Sequence, residues 1–143
     1  MVNISEMKKK MARKKIFISY DYDNDKRYKN LLLAWDANSY FDFSFEDISV
    51  DVSIDSTDAD TITRVISARI NNSTYFLCII GEKTYKSAWV KWEIDKAVEL
   101  GKKIVAVKIH PSNTLPDEIV GVGASLAMHF RFESIKTAID NVL

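Results

Sequence analysis

Residues 75–109, YFLCIIGEKTYKSAWVKWEIDKAVELGKKIVAVKI, place one helical pattern between two unbroken apolar runs. Tyr75–Ile80 (YFLCII) is bounded by Asn71-Asn72-Ser73 and Gly81, which predicts a central strand covered on both faces. Ser87 is placed to cap a helix running through Leu100, and Gly101 stands where a C-terminal cap belongs. Lys103–Ile109 (KIVAVKI) is the next strand, ended by His110-Pro111.

The same alternation extends in both directions. Lys15–Tyr20 (KIFISY) is a short β-branched and aromatic run that predicts a buried strand. Asp25–Ala37 carries Tyr28, Leu31, Leu32 and Trp35 at helical spacing, with Asp25 able to cap it. Phe41–Val50 alternates in part and predicts a second strand. Thr57 and Asp60 then form a pair like a capping box ahead of Ile62, Val65, Ile66 and Ile70. Beyond Pro116 and two glycines, Ala127–Phe132 predicts a last short strand and Glu133–Val142 a closing helix. Strands interleaved with helices imply right-handed crossovers. The expectation is an α/β three-layer sandwich with a five-stranded parallel sheet of flavodoxin-like form, its site at the carboxyl ends of the strands. Its two most apolar strands, Lys15–Tyr20 and Tyr75–Ile80, should be neighbours at the centre.

Composition narrows the function. A chain of 143 residues suits one domain and can bury roughly 68–70% of its unfolded surface. Hydrophobic residues at 47% and charged residues at 28% are ordinary for a globular core and argue against disorder. One cysteine and two histidines exclude a disulfide scaffold and a Cys/His zinc module, so no metal is expected. A formal net charge of zero speaks against a general nucleic-acid binder. No run of ~18 apolar residues offers a membrane span and no apolar segment follows the basic start, so a cytoplasmic location is expected. Lys8, Lys9, Lys10, Arg13, Lys14 and Lys15 mark residues 1–14 as a basic N-terminal extension to a single domain over 15–143. Such an arm is expected to be a solvated end.

The common occupants of this architecture are missing. No glycine precedes Gly81, which removes dinucleotide-binding and P-loop phosphate cradles. The acidic turn Asp21-Tyr22-Asp23-Asn24-Asp25 would repel a flavin phosphate. Read as a calcium loop, it fails at Lys26 and Leu32. A phospho-receiver needs an aspartate at the end of the third strand, where Ile79-Ile80-Gly81-Glu82 supplies none. Cys78 lies mid-strand and reads as packing.

One feature survives. In Ser87–Val98, residues Val90, Ile94, Ala97 and Val98 form an apolar arc at 100° per residue, and Glu93 lies on its edge with Trp89 one turn earlier. Phe17-Ile18-Ser19-Tyr20 before an acidic turn, together with Ser87-x-Trp89-x-x-x-Glu93 after the third strand, resembles the TIR domain. More closely, it resembles the bacterial and archaeal TIR-like group related to the anti-phage Thoeris sensors. Asp51–Asp60 is similar to that group's loop after the second strand.

The resemblance implies NAD⁺ as substrate, with no further cofactor. Nicotinamide would be released and an ADP-ribose-derived signal, cyclic or conjugated, made for a separately encoded effector. It implies Glu93 as the catalytic carboxylate, with Ser87 and the motif partner Trp89, which shapes the pocket, among the substrate-binding residues. Tyr20 and Asp21 would line the nucleotide; Asp55 and Ser56 would belong to a covering loop or meet a second subunit of a homo-oligomer. The alternative is a non-catalytic interaction or nucleotide-sensing module, with no membrane or nucleic-acid partner in either case.

Overall fold

The computed structural model describes residues 14–37, 45–47 and 58–142. β1 (Lys14–Ser19) and β3 (Tyr75–Ile80) pair in parallel, with Phe17 opposite Phe76 and Ile18 opposite Leu77. β4 (Lys103–Lys108) adds to β3, β5 (Ser125–Ala127) to β4, and β2 (Phe45–Asp47) to β1, giving the order β2-β1-β3-β4-β5. The two most apolar runs are therefore neighbours away from either edge, as expected from their composition.

Parallel pairing forces every return to cross over. The crossovers carry α1 (Tyr22–Ala37), α2 (Ala59–Asn71) and α3 (Ala88–Glu99), and α4 (Phe132–Asn141) closes the chain. Strand alternation sorts two cores. Ile16, Ile18, Leu77, Ile79, Val105 and Val107 pack with Leu32 of α1 and Ile135 and Ile139 of α4. Phe17, Phe76, Cys78, Ile80, Ile104 and Ala106 pack with Ile70 of α2 and Val90, Ile94 and Ala97 of α3. A sheet covered on both faces needs apolar residues at successive positions, which is why the strand runs lack polar alternation.

Several boundaries differ from the sequence reading. α1 begins at Tyr22, and Asp25 is buried in its first turn with its backbone N–H donating to Asp21 O at 2.8 Å. Asp25 thus turns inward instead of capping. The cap of α2 is Asp58, which accepts from Asp60 N at 3.1 Å and from Thr61 Oγ1 at 2.8 Å; Thr57 lies outside the described residues. Only Phe45–Asp47 of the expected second strand is described as paired, the rest of Phe41–Val50 lying outside the described residues.

The last strand is Ser125–Ala127 rather than Ala127–Phe132. Phe130 and Phe132 leave the sheet edge for Tyr28 and Trp35 of α1, with ring centroids 5.1 to 6.2 Å apart. Val98, placed on the apolar arc, is 40% exposed. Lys14, assigned to the basic extension, is the first residue of β1 and pairs with Phe45; residues 1–13 lie outside the described residues. Among the described residues no helix is long and apolar enough to cross a membrane, and no group of three or more His, Cys, Asp or Glu could hold a metal ion.

Candidate active site

α3 starts where a side chain can close its first turn. Ser87 Oγ accepts from Val90 N at 3.3 Å. At the far end Gly101 adopts φ 70°, with Gly101 N bonded to Val98 O and Lys102 N to Ala97 O. That pattern needs a left-handed residue and ends the helix in a Schellman cap. Val90, Ile94 and Ala97 bury one face, which fixes the rotation of α3 and turns Glu93 toward the end of β1.

There Ser19 Oγ donates to Glu93 Oε1 at 2.9 Å. Ser19 is the last residue of β1 and is buried, so the carboxylate sits at the carboxyl end of the sheet. Burial pushes the Glu93 carboxyl up to about 7 from its ordinary 4.5, against the Ser19 hydrogen bond and then the positive charge of Lys29. A carboxyl balanced near neutrality in a cleft is typical of groups that do chemistry.

Glu93, Ser87, Trp89, Tyr20 and Asp21 line one cleft of about 240 Å³, together with Ile18, Tyr22, Asp23 and Ile66. Five residues singled out from the sequence are thus brought together; Asp55 and Ser56 lie outside the described residues. Trp89 and Tyr22 are exposed rim residues, at 48% and 49%. The Trp89 ring meets Trp92 edge-on at 5.9 Å, and Tyr22 lies 6.1 Å from Tyr20. Asp21 is held by Asn24 Nδ2 at 2.6 Å.

Sequence reasoning passed over Ser19, Tyr22, Asp23 and Lys29. Ser19 had a signal: a hydroxyl inside an apolar strand needs a partner. Cys78, beside Ser19 in the β1–β3 register, has its thiol pushed up by burial and then by the Glu93 charge, with the Ser19 hydrogen bond opposing, so it stays a packed thiol. Replacing Ser87 by Ala is expected to cost about 1 kcal/mol through the lost cap. Urea denaturation checks this, with Ser87→Thr restoring most of the difference.

A family model described as Thoeris protein ThsB, TIR-like domain, matches residues 17–114. The chain belongs to that family. The matched span of this ThsB TIR-like domain runs from β1 through β4 and includes Ser19 and Glu93. Over 49 residues the chain is 35% identical to a Bacillus cereus (strain MSX-D12) protein named "Putative cyclic ADP-D-ribose synthase ThsB1". That stretch is 34% of this chain and 26% of the relative, so the match spans about a quarter of the relative's length. Among solved structures, the Clostridium botulinum CMP N-glycosidase BcmB superposes with TM-score 0.61 at 16% identity, covering 89% of this chain and 98% of that one. The TIR domains of the activated Roq1 resistosome, which directly recognises the pathogen effector XopQ, give TM-score 0.51 at 17% identity over 69% of this chain and 60% of theirs. At these identities the likeness is one of fold.

Proposed function

We propose that this ThsB TIR-like domain cleaves the nicotinamide–ribose bond of NAD⁺ and makes a cyclic or conjugated ADP-ribose signal in anti-phage defence. The observation that carries this reading is Glu93: a half-buried carboxylate, hydrogen-bonded by Ser19, facing a cleft walled by aromatic and acidic side chains. Membership of the family supports the defence setting, and the relative's printed name supports an ADP-ribose product.

The chemistry suits the charges. In NAD⁺ the nicotinamide ring is cationic, so Asp21, Asp23 and the rings of Tyr22 and Trp89 favour that end of the substrate. When the bond from ribose C1′ to the ring nitrogen breaks, the electron pair leaves with nicotinamide and neutralises it. The positive charge passes to the ribose, where a carboxylate fixed in a partly dry cleft stabilises it better than mobile water does. Capture by water gives ADP-ribose and a proton; capture by a nucleophile within the same molecule closes a ring. Ligand sites commonly enclose about 300–1,000 Å³, so this cleft takes the reacting end while the pyrophosphate stays outside the acidic wall. Lys86, exposed and adjacent in sequence to the cleft residue Ser87, is a candidate cation for the pyrophosphate.

Purified protein incubated with NAD⁺, with and without lysate from phage-infected cells, is expected to release nicotinamide. Its kcat/KM should fall on the acid side of about pH 7, where Glu93 takes up a proton. NAD⁺ binding without nicotinamide release under either condition would make the domain a nucleotide sensor. Neither binding nor release would make it an interaction module.

A further inference from the structure

Ser19 is buried at the end of β1, its backbone held in a strand pair opposite Cys78 of β3. Strand alternation gives it the side of the sheet that carries Phe17, which is the side covered by α3. There Ser19 Oγ donates to Glu93 Oε1 at 2.9 Å, across 74 positions of sequence. Among the described residues this is the one hydrogen bond of the Glu93 carboxylate. The second carboxylate oxygen stands differently. Among those residues the buried side-chain oxygen that lacks a partner is Glu118 Oε2. Glu93 Oε2, which is unbonded, is therefore open to water, and its opening is the cleft that Glu93 lines. One oxygen is tied to the sheet and the other is presented to a ligand. Glu93 reaches the cleft through a long, rotatable side chain, whereas Ser19 carries a short one on a paired strand. The rigid partner fixes the flexible one.

We propose that Ser19 is the positioning residue of Glu93: its hydroxyl anchors Oε1 and leaves Oε2 as the oxygen that meets the ribose. This rests on the reading of Glu93 as the carboxylate that cleaves NAD⁺. Ser19 does not line the cleft, so it acts on the substrate through Glu93. A hydroxyl that donates to a carboxylate also favours the charged form over the neutral one. Burial raises the proton affinity of Glu93, and the Ser19 hydrogen bond and then the Lys29 charge oppose it. The other titratable groups facing Glu93 are the Cys78 thiol on β3, the Tyr20 phenol just after β1, and Asp21, Tyr22 and Asp23 where α1 begins. On α3, Lys96 is paired with Glu99 at 2.9 Å, and α2 presents apolar Ile66 to the cleft. None of these gives the Glu93 carboxylate a hydrogen bond. Losing the Ser19 hydroxyl therefore loosens the carboxylate and lets it take up a proton at higher pH.

The test is Ser19→Ala. Carbon-13 carboxyl NMR titration of Glu93, without substrate, is expected to place its midpoint about one pH unit higher than in wild type. Steady-state nicotinamide release is expected to show kcat/KM lower by about tenfold at pH 9 and about 100-fold at pH 6, the difference being protonation of Glu93. The loss at pH 9 should lie in kcat, with KM within about threefold of wild type. In a Glu93→Gln background the same change should lower the residual rate by less than about twofold, because a residue acting through Glu93 has nothing further to lose. An unmoved midpoint, a loss carried by KM alone, or an undiminished loss in the Glu93→Gln background overturns the proposal. Ser19→Thr and Ser19→Val control for packing, since they share a shape and differ by the hydroxyl. The first should keep the wild-type midpoint and the second should raise it; equal midpoints overturn the proposal. Should alanine prevent folding, this pair carries the same measurements. If wild type releases no nicotinamide under any trigger, the NAD⁺ reading fails, while the midpoints still decide whether Ser19 holds Glu93.

Discussion

Glutamine at position 93 is expected to lower nicotinamide release by about 10²–10³, the loss typical of deleting one preorganised electrostatic group. The same change is expected to make the protein more stable than wild type at pH 8, by up to about 3 kcal/mol. Both effects have one cause. Glu93 Oε1 accepts from Ser19 Oγ at 2.9 Å, and Gln keeps that acceptor and the side-chain volume, so the fold should persist. What disappears is a negative charge held where burial resists it.

The sign follows from linkage. The folded carboxyl is raised to about 7 from 4.5, so between those values the folded chain holds a proton that the unfolded chain has released. Wild-type stability therefore falls as pH rises through that window, and glutamine does not titrate. The stability gap should be near zero at pH 4 and largest above pH 7. Urea denaturation at pH 4, 6 and 8 measures it, with Glu99→Gln as control because Glu99 is an exposed partner of Lys96. A gap that does not grow with pH would mean the carboxylate is well solvated. If active wild type and Glu93→Gln release nicotinamide at rates within about threefold, Glu93 is not the catalytic group.

Local signals were the legible ones. KIFISY, YFLCII and KIVAVKI read as strands because a doubly covered sheet leaves no polar alternation to confuse them. Ser87 and Gly101 read as the ends of α3 because caps depend on a few adjacent residues. Glu93 read as a boundary carboxylate because helical phase alone sets it against Val90, Ile94 and Ala97. The remainder depends on contacts made across the chain. Phe130 and Phe132 look like strand residues until Tyr28 and Trp35 supply an aromatic cluster that takes them off the edge. Trp89 looks like packed area, yet nearly half of it is exposed, at 48%, so it serves the cleft rim more than the core. Lys29 looks solvated, as lysines usually are. Only the folded chain buries it fully beside the Tyr20 ring.

Alanine at position 81 is expected to destabilise the protein by about 3 kcal/mol, the upper part of the range for overpacking a filled interior. Gly81 follows β3, and its φ is not in the left-handed region, so the backbone itself would tolerate a side chain. Space would not. A methyl group built on Gly81 falls 2.7 Å from Asp25 Cγ, and its nearest neighbour is Asp25 Oδ2. Asp25 cannot step aside, because it is buried in the first turn of α1. Its carboxylate lies 3.5 Å from Thr84 Oγ1, which also accepts from Gly81 N at 2.8 Å. Burial, and then the charge of Asp21, already raise the Asp25 carboxyl, with Thr84 and Arg27 opposing. Pressing a methyl group into this cluster must displace the start of α1, which carries the rim residues Tyr22 and Asp23. Asp25→Ala alone is expected to cost about 1–2 kcal/mol through the lost hydrogen bond. In the double variant the vacated space accepts the Gly81→Ala methyl, so the two losses should fall short of their sum by about 2 kcal/mol. Additive losses, or a Gly81→Ala cost under about 0.5 kcal/mol, would show that the end of β3 has room and that Asp25 does not fix the start of α1.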